Sequence, residues 1–224
     1  MKKIPTLFKR VFLEDHKTKT IVPEITPGCE EVLEGVCTPT IKWDGACCAT
    51  INGELYKRYD AKIGKDGKRK LPPDGAIPCQ EKPDPITGHW PHWVKCEEGN
   101  PADKYFLEAL EEYKRNGDWA HIYPAKNAQP TGSIYEGPTT YEAIGPAWQG
   151  NPYHLACNTL KRHGNDVIFG TPDDIDNYTA EQAFEVCRDY LRDNPIEGIV
   201  FWCDGKPLCK IKRSDFGFEW PIKK

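Results

Sequence analysis

The sequence has no apolar run approaching the length of a membrane span. Its first ten residues, Met1 to Arg10, are basic but contain no apolar h-region, so a secretory signal is not expected. Ten cysteines stand at 29, 37, 47, 48, 79, 96, 157, 187, 203 and 209, and no two of them form a Cys-x-x-Cys pair. With neither leader nor pair, reduced thiols in a cytoplasmic setting are expected rather than a disulfide framework. No internal repeat or domain linker stands out, and strands and helices do not alternate in a βαβ rhythm. Bulk positive charge is also missing. The net charge is −4, so any attraction to nucleic acid has to be local.

The charge that is present is unevenly spread. Residues 57–70 hold seven basic side chains against Asp60 and Asp66, a net of +5. Residues 206–224 hold six against Asp215 and Glu219, a net of +4, which leaves −13 for the rest. Two basic stretches on an acidic body predict a localised polyanion site. With 224 residues there is room for one large domain or two small ones. The expectation is a single domain over 1–224, with 64–99 an irregular excursion.

One stretch carries a specific chemical suggestion: Thr40-Ile41-Lys42-Trp43-Asp44-Gly45. An amine attacks phosphorus only when neutral, and a free lysine is almost wholly protonated near pH 7. A nucleophilic Lys42 therefore requires burial, neighbouring cations or a metal to shed its proton. After Gly45, residues 46–59 read as a hairpin turning at Asn52-Gly53, with Ile51 opposite Glu54 and Cys47 opposite Arg58. The aromatic, Pro-rich segment that follows contains Cys79, His89, His92 and Cys96, residue types that bind zinc but in a non-standard spacing. An aromatic loop with incidental histidines is the plainer reading.

Residues 101–116 read as a helix capped by Asn100, with Pro101 at its first position and Phe106, Leu107, Leu110 and Tyr113 as its core stripe. Residues 119–123, 133–135 and 140–144 read as strands. Thr179 and Gln182 form a capping box that opens a second helix, which buries Phe184, Cys187 and Leu191 and stops before Pro195. A second hairpin turns at Asp204-Gly205. A two-residue loop pairs Cys203 with Lys206, Ile199 with Lys210 and Glu197 with Lys212, which gathers a carboxylate and two ammonium groups on one face. Pro207 is the residue placed to disturb that ladder. These elements predict an α+β fold with largely antiparallel sheets.

Taken in order, Lys42-Trp-Asp-Gly45, an arginine on the next strand, Tyr141-Glu142-Ala-Ile-Gly145, Glu197-Gly-Ile-Val-Phe201 and Lys210-Ile-Lys212 resemble the motif series of the covalent nucleotidyltransferases, that is, RNA ligases, DNA ligases and capping enzymes. Lys-Trp-Asp-Gly-Ala-Cys-Cys at 42–48, Gly150-Asn-Pro-Tyr153 and the run from Glu197 through Trp220-Pro221 look closest to small ATP-dependent 5′-to-3′ RNA ligases of the vertebrate RNA ligase 1 type. The likeness spans roughly 40–222 and is loose over 64–135.

The resemblance implies two sheets holding ATP between them, in a nucleotidyltransferase domain without an appended oligonucleotide-binding domain. It implies that Lys42 attacks the α-phosphate to form a lysyl-AMP, with Lys210 and Lys212 at that phosphate. Ile41, Asp44, Arg58, Glu142, Glu197 and Phe169 would join them around the nucleotide. Glu197 and Asp44 would hold Mg²⁺, or Mn²⁺ in its place. Arg58 and Lys62 would meet RNA bearing 5′-phosphate and 3′-OH ends, with no membrane and no obligate protein partner. For the stacking aromatic, Phe169, His163 and Tyr153 are the alternatives, and Ile41 does not distinguish ATP from GTP. A capping-type guanylyltransferase, a DNA nick-sealing ligase and an inactive nucleotide- or RNA-binding module are the competing readings.

Overall fold

The computed structural model describes residues 4–12, 19–63, 69–85, 87–116, 138–168 and 178–222. In chain order they form β1 (Phe8–Phe12), β2 (Lys19–Ile25), β3 (Thr38–Lys42), β4 (Ala46–Ile51), β5 (Glu54–Ile63), β6 (Arg69–Lys70), β7 (Ile77–Pro78), β8 (His89–Lys95), α1 (Lys104–Arg115), β9 (Thr139–Ile144), β10 (Thr159–Arg162), α2 (Ala180–Asp193), β11 (Gly198–Cys203) and β12 (Lys206–Lys212). Every pairing among these strands is antiparallel, which gives the expected α+β arrangement. No described helix is long and apolar enough to cross a membrane. The segments read as strands at 119–123 and 133–135 lie outside the described residues. The chain divides into two compact units, Met1–Lys2 with Asp44–Arg162 and Lys3–Trp43 with His163–Lys224.

In the first unit the strands run in the order β10-β9-β4-β5-β8-β7, and β6 also pairs with β5. Asn52 and Gly53 both take positive φ, the backbone that a two-residue hairpin loop requires, and Ile51 pairs with Glu54 as expected. One sheet face packs on α1. Leu110, Ala109 and Tyr113 of the helix bury against Cys48, Leu55, Tyr141, Ala143 and Leu160.

The helix starts at Lys104, three residues later than the sequence suggests. Asn100 accepts from Ala102 N at 3.0 Å in a turn instead of capping the helix. Asp103, the residue at the cap, spends its buried carboxylate on Lys57 Nζ and on Glu97 N at 3.1 Å. Within the stretch read as irregular, His89–Lys95 forms β8 and pairs along most of β5. Its indoles and Val94 suit a pleated surface, and Trp93 is buried among Cys47 and Ala49.

In the second unit β12-β11-β3 form one sheet and β1-β2 a ribbon. The Thr179–Gln182 capping box is formed in both directions, at 2.9 and 3.3 Å, and α2 ends before Pro195. Its buried Ala183, Cys187 and Leu191 meet Ile199, Phe201 and Ile211 in one core, with Phe184 partly buried against them.

The β11–β12 register differs from the expected one. Cys203 pairs with Lys206, but an irregularity follows at Phe201/Trp202. From there Phe201 pairs with Cys209, Val200 with Lys210 and Gly198 with Lys212. Trp202 already pairs with Pro207, so Leu208 is the extra residue, next to the proline that cannot donate to the ladder. Cys37 and Cys203 are joined in a disulfide rather than reduced. They stand one step beyond the Thr38↔Trp202 pair, with Cα atoms 4.4 Å apart, so the ladder itself brings the sulfurs together.

Candidate functional site

The second unit assembles the lysines. Across β3, β11 and β12, Lys42, Gly198 and Lys212 stand in one row, and Thr40, Val200 and Lys210 in the next. Directly paired residues share a face, so the three lysines lie together and Ile41, Ile199 and Ile211 turn to the core. Gly198 is the residue that this row demands. A Cβ there would collide with the Ile211 carbonyl, and the position between the two lysines is left without a side chain.

Glu197, immediately before β11, is 5% exposed. Its Oε2 accepts from Lys42 Nζ and its Oε1 from Lys212 Nζ. The two ammonium groups offset the cost of burying that carboxylate, which would be prohibitive without a partner. Lys210 adds a third cation. Its pKa is lowered to about 8, first by burial and then by repulsion from Lys42 and Lys212, with Glu197 opposing and Arg10 reinforcing. Asp215 accepts from Lys212 N at 2.9 Å and pairs with Arg10 at 2.5 Å. The sequence reading missed Arg10 and Asp215, because neither has a spacing that marks it.

Asp166 was missed as well. Its carbonyl accepts from Ile41 N at 2.9 Å, and its carboxylate accepts from the Trp43 indole at 2.8 Å. The residues on either side of Lys42 are therefore pinned by one loop residue. Ile41 itself packs against the core.

The chain passes into the other unit between Trp43 and Asp44. Here Asp44 N donates to the Tyr153 hydroxyl at 2.7 Å, and Gly45 N donates to Glu142 Oε1 at 3.1 Å. Gly45 passes so close to Ala143 O that a Cβ would clash with it. Glu142 pairs across the sheet with Cys47 on one side and Lys161 on the other. One step beyond the Cys48↔Lys57 pair, Arg58 comes beside Cys47 and pairs with Trp93 on β8. Burial pushes the Cys47 thiol up to about 12, with Glu142 adding and Arg58 opposing, so it stays a neutral packing residue between those two charges.

Arg58 holds Asp60 at 3.1 Å. Lys62 is exposed and stands opposite His89 and Lys70. Phe169 lies outside the described residues. The zinc-type residues do not converge, because His89 and His92 fall on opposite faces of β8, and Cys96 packs under α1 while Cys79 packs near Trp93. Among the described residues, only Glu31, Cys37 and Cys203 bring three ligand-type atoms together, and two of those are the disulfide sulfurs.

Fold and site together define an α+β protein in which lysines from separate strands converge on one buried carboxylate. The sequence profile of the RNA ligase 1 family matches residues 78–224, a stretch that includes Glu142, Glu197, Lys210 and Lys212. The chain is 26% identical to the RNA ligase 1 of Pongo abelii over 230 residues, covering 82% of this chain and 68% of that protein. It is also 26% identical to the RNA ligase 1 of Mus musculus and to that of Danio rerio, each over 229 residues and with the same shares. The chain belongs to the RNA ligase 1 family.

Proposed function

We propose that this protein is an ATP-dependent RNA ligase built on a nucleotidyltransferase fold, working through a lysyl-AMP intermediate. The observation that carries the reading is the bridging of Glu197 by Lys42 and Lys212, with Lys210 on the same sheet face. Lys42 is the nucleophile. Its amine nitrogen bonds to the α-phosphorus of ATP, the bond from that phosphorus to the bridging oxygen breaks, and the electron pair leaves on pyrophosphate. Glu197 is the acceptor nearest the ammonium proton that must first depart.

Lys210 and Lys212 stabilise the charge that builds on the transferring phosphate, which is most of what phosphoryl transfer asks of a protein. Next, an RNA 5′-phosphate oxygen displaces Lys42 from the AMP. An RNA 3′-OH then attacks that 5′-phosphate, and AMP leaves as the strand is sealed. Asp166 keeps Lys42 aimed by holding its neighbours, and Glu142 fixes the backbone after it at Gly45. Arg58 and Lys62 are the proposed RNA contacts.

Glu197 offers the hard oxygen donor that Mg²⁺ prefers. Both of its oxygens already accept lysine hydrogen bonds, so an ion beside it fits through water or in place of one lysine. When bound, the ion would neutralise phosphate charge.

The test is incubation with ATP or GTP labelled at the α-phosphate, followed by a denaturing gel. Label from ATP on the wild type and none on Lys42→Ala is the expected result. Labelling by GTP alone would remove the ATP assignment, and labelling by neither would favour a binding module. Sealing of 5′-phosphate, 3′-OH RNA against matching DNA then separates the ligase classes.

A further inference from the structure

We infer that Arg10 is an additional phosphate-binding residue of this site, placed to hold the pyrophosphate part of a nucleoside triphosphate; the inference rests on the lysyl-AMP reading above. The segment leading into β1 runs beside β12. Leu7 N donates to Lys210 O at 2.7 Å, Lys210 N donates to Pro5 O at 3.0 Å, and Thr6 bridges to Lys210. Arg10, three residues further on, reaches Asp215 with Nη2 at 2.5 Å. The other oxygen of Asp215 accepts from the backbone N of Lys212 at 2.9 Å.

Lys212 is thus the joint between two ion pairs. Its side chain meets Glu197 together with Lys42, and its backbone meets Asp215 together with Arg10. A phosphate at Lys42 and Lys212 is the one under attack, and the next phosphates of the chain need a cation further along the same array. Arg10 supplies one. Its side chain is 42% exposed while that of Asp215 is 7% exposed, so the carboxylate is enclosed and the Arg10 side chain stays partly open to solvent. A guanidinium presents several donors in a rigid fork that suits two phosphate oxygens at once, and it stays charged throughout the working pH range. Its charge already reaches the site, because Arg10 is among the cations that depress Lys210. Among these described groups, Lys42, Lys210, Lys212 and Arg10 outnumber Glu197 and Asp215 by two positive charges, an excess that favours a polyanion.

The experiment is calorimetric titration of the full chain with inorganic pyrophosphate and, separately, with AMP, for the wild type, Arg10→Ala and Arg10→Lys. One charge-assisted contact sets the scale, so Arg10→Ala should weaken pyrophosphate binding by about tenfold or more and leave AMP within about twofold, while Arg10→Lys recovers part of the loss. AMP serves as the folding control. Equal pyrophosphate affinity in wild type and Arg10→Ala, no measurable pyrophosphate binding by the wild type, or a parallel loss of AMP and pyrophosphate would each overturn the role. Pyrophosphate binding needs no lysyl-AMP. Failure of the wild type to take label from ATP counts against the proposed function alone, and the titration decides Arg10 separately.

Discussion

Lys42 and Glu197, 155 residues apart in sequence, are joined by an ammonium-to-carboxylate hydrogen bond in which the carboxylate is nearly closed off from solvent. The same carboxylate takes Lys212 with its other oxygen. Replacing Glu197 by Gln keeps its shape and removes the charge that both lysines share. The folded state should lose about 3 kcal/mol, as expected when one member of a buried ion group is deleted. Lysyl-AMP formation should fall by about a hundredfold or more. Urea unfolding and a label-transfer time course measure the two effects. A variant with wild-type stability and rate would show that Glu197 organises nothing.

Lys210 gives a pH dependence with a definite sign. Its folded pKa of about 8 lies below the ordinary 10.5, so between those values the unfolded chain binds the extra proton. Stability therefore rises with pH across that window, and Lys210→Met should lack the rise. Affinity for AMP should move the other way, falling as the pH climbs through about 8 and the ammonium is lost. Lys210→Arg, which keeps its charge, should bind AMP with little change over the same range. Unfolding midpoints and AMP titrations at stepped pH read both trends.

Asp166 should matter through Lys42, although it does not reach the reacting atoms. Asp166→Ala removes the carboxylate that accepts from the Trp43 indole and should cost about 2 kcal/mol of stability, the scale of a hydrogen bond to a charged group. Loosening the lysine's neighbour should slow adenylation by about tenfold, with Asp166→Asn retaining more of the rate. The readout is kcat for lysyl-AMP formation against KM for ATP, since a loss of aim lowers kcat first.

The Cys37–Cys203 disulfide spans 166 residues of sequence, and cross-linking a loop of that length restricts the unfolded chain by roughly 5 kcal/mol on the loop-entropy account. Reductant should lower the unfolding midpoint of the wild type and leave that of a Cys37→Ser, Cys203→Ser variant unmoved. A wild type indifferent to reductant would contradict the cross-link.

Local signals carried much of this fold. Asn52-Gly53 set the first hairpin in register, and Thr179 with Gln182 opened α2 where expected. Lys42 was tied to Glu197, Lys210 and Lys212 only by the family resemblance; those three were legible as a group, because Asp204-Gly205 announced the hairpin and alternation placed them on one face. The exact partners were not, since the extra residue at Leu208 shifts the ladder by one, and a bulge follows from twist and proline rather than from pattern. Asn100 has the local spelling of a cap. The competing pull on Asp103 from Lys57 is a tertiary ion pair with none. The same holds for Asp166, Arg10 and Asp215, whose partners are brought near only by strand pairing. Cys37 and Cys203 escaped for a similar reason, since 166 intervening residues hide a one-step extension of a ladder. Of the three base-stacking alternatives, Phe169 lies outside the described residues, while the Tyr153 hydroxyl accepts from Asp44 N.

In the proposed reaction AMP is carried on Lys42. Incubating the full chain with ATP labelled at its α-phosphate and Mg²⁺, digesting it, and sequencing the labelled peptide by mass spectrometry tests this directly. One modified residue is expected, Lys42, carrying AMP through its side-chain nitrogen. AMP on Lys210 or Lys212 instead, or no adenylated peptide at all from a protein that still seals RNA, would contradict it.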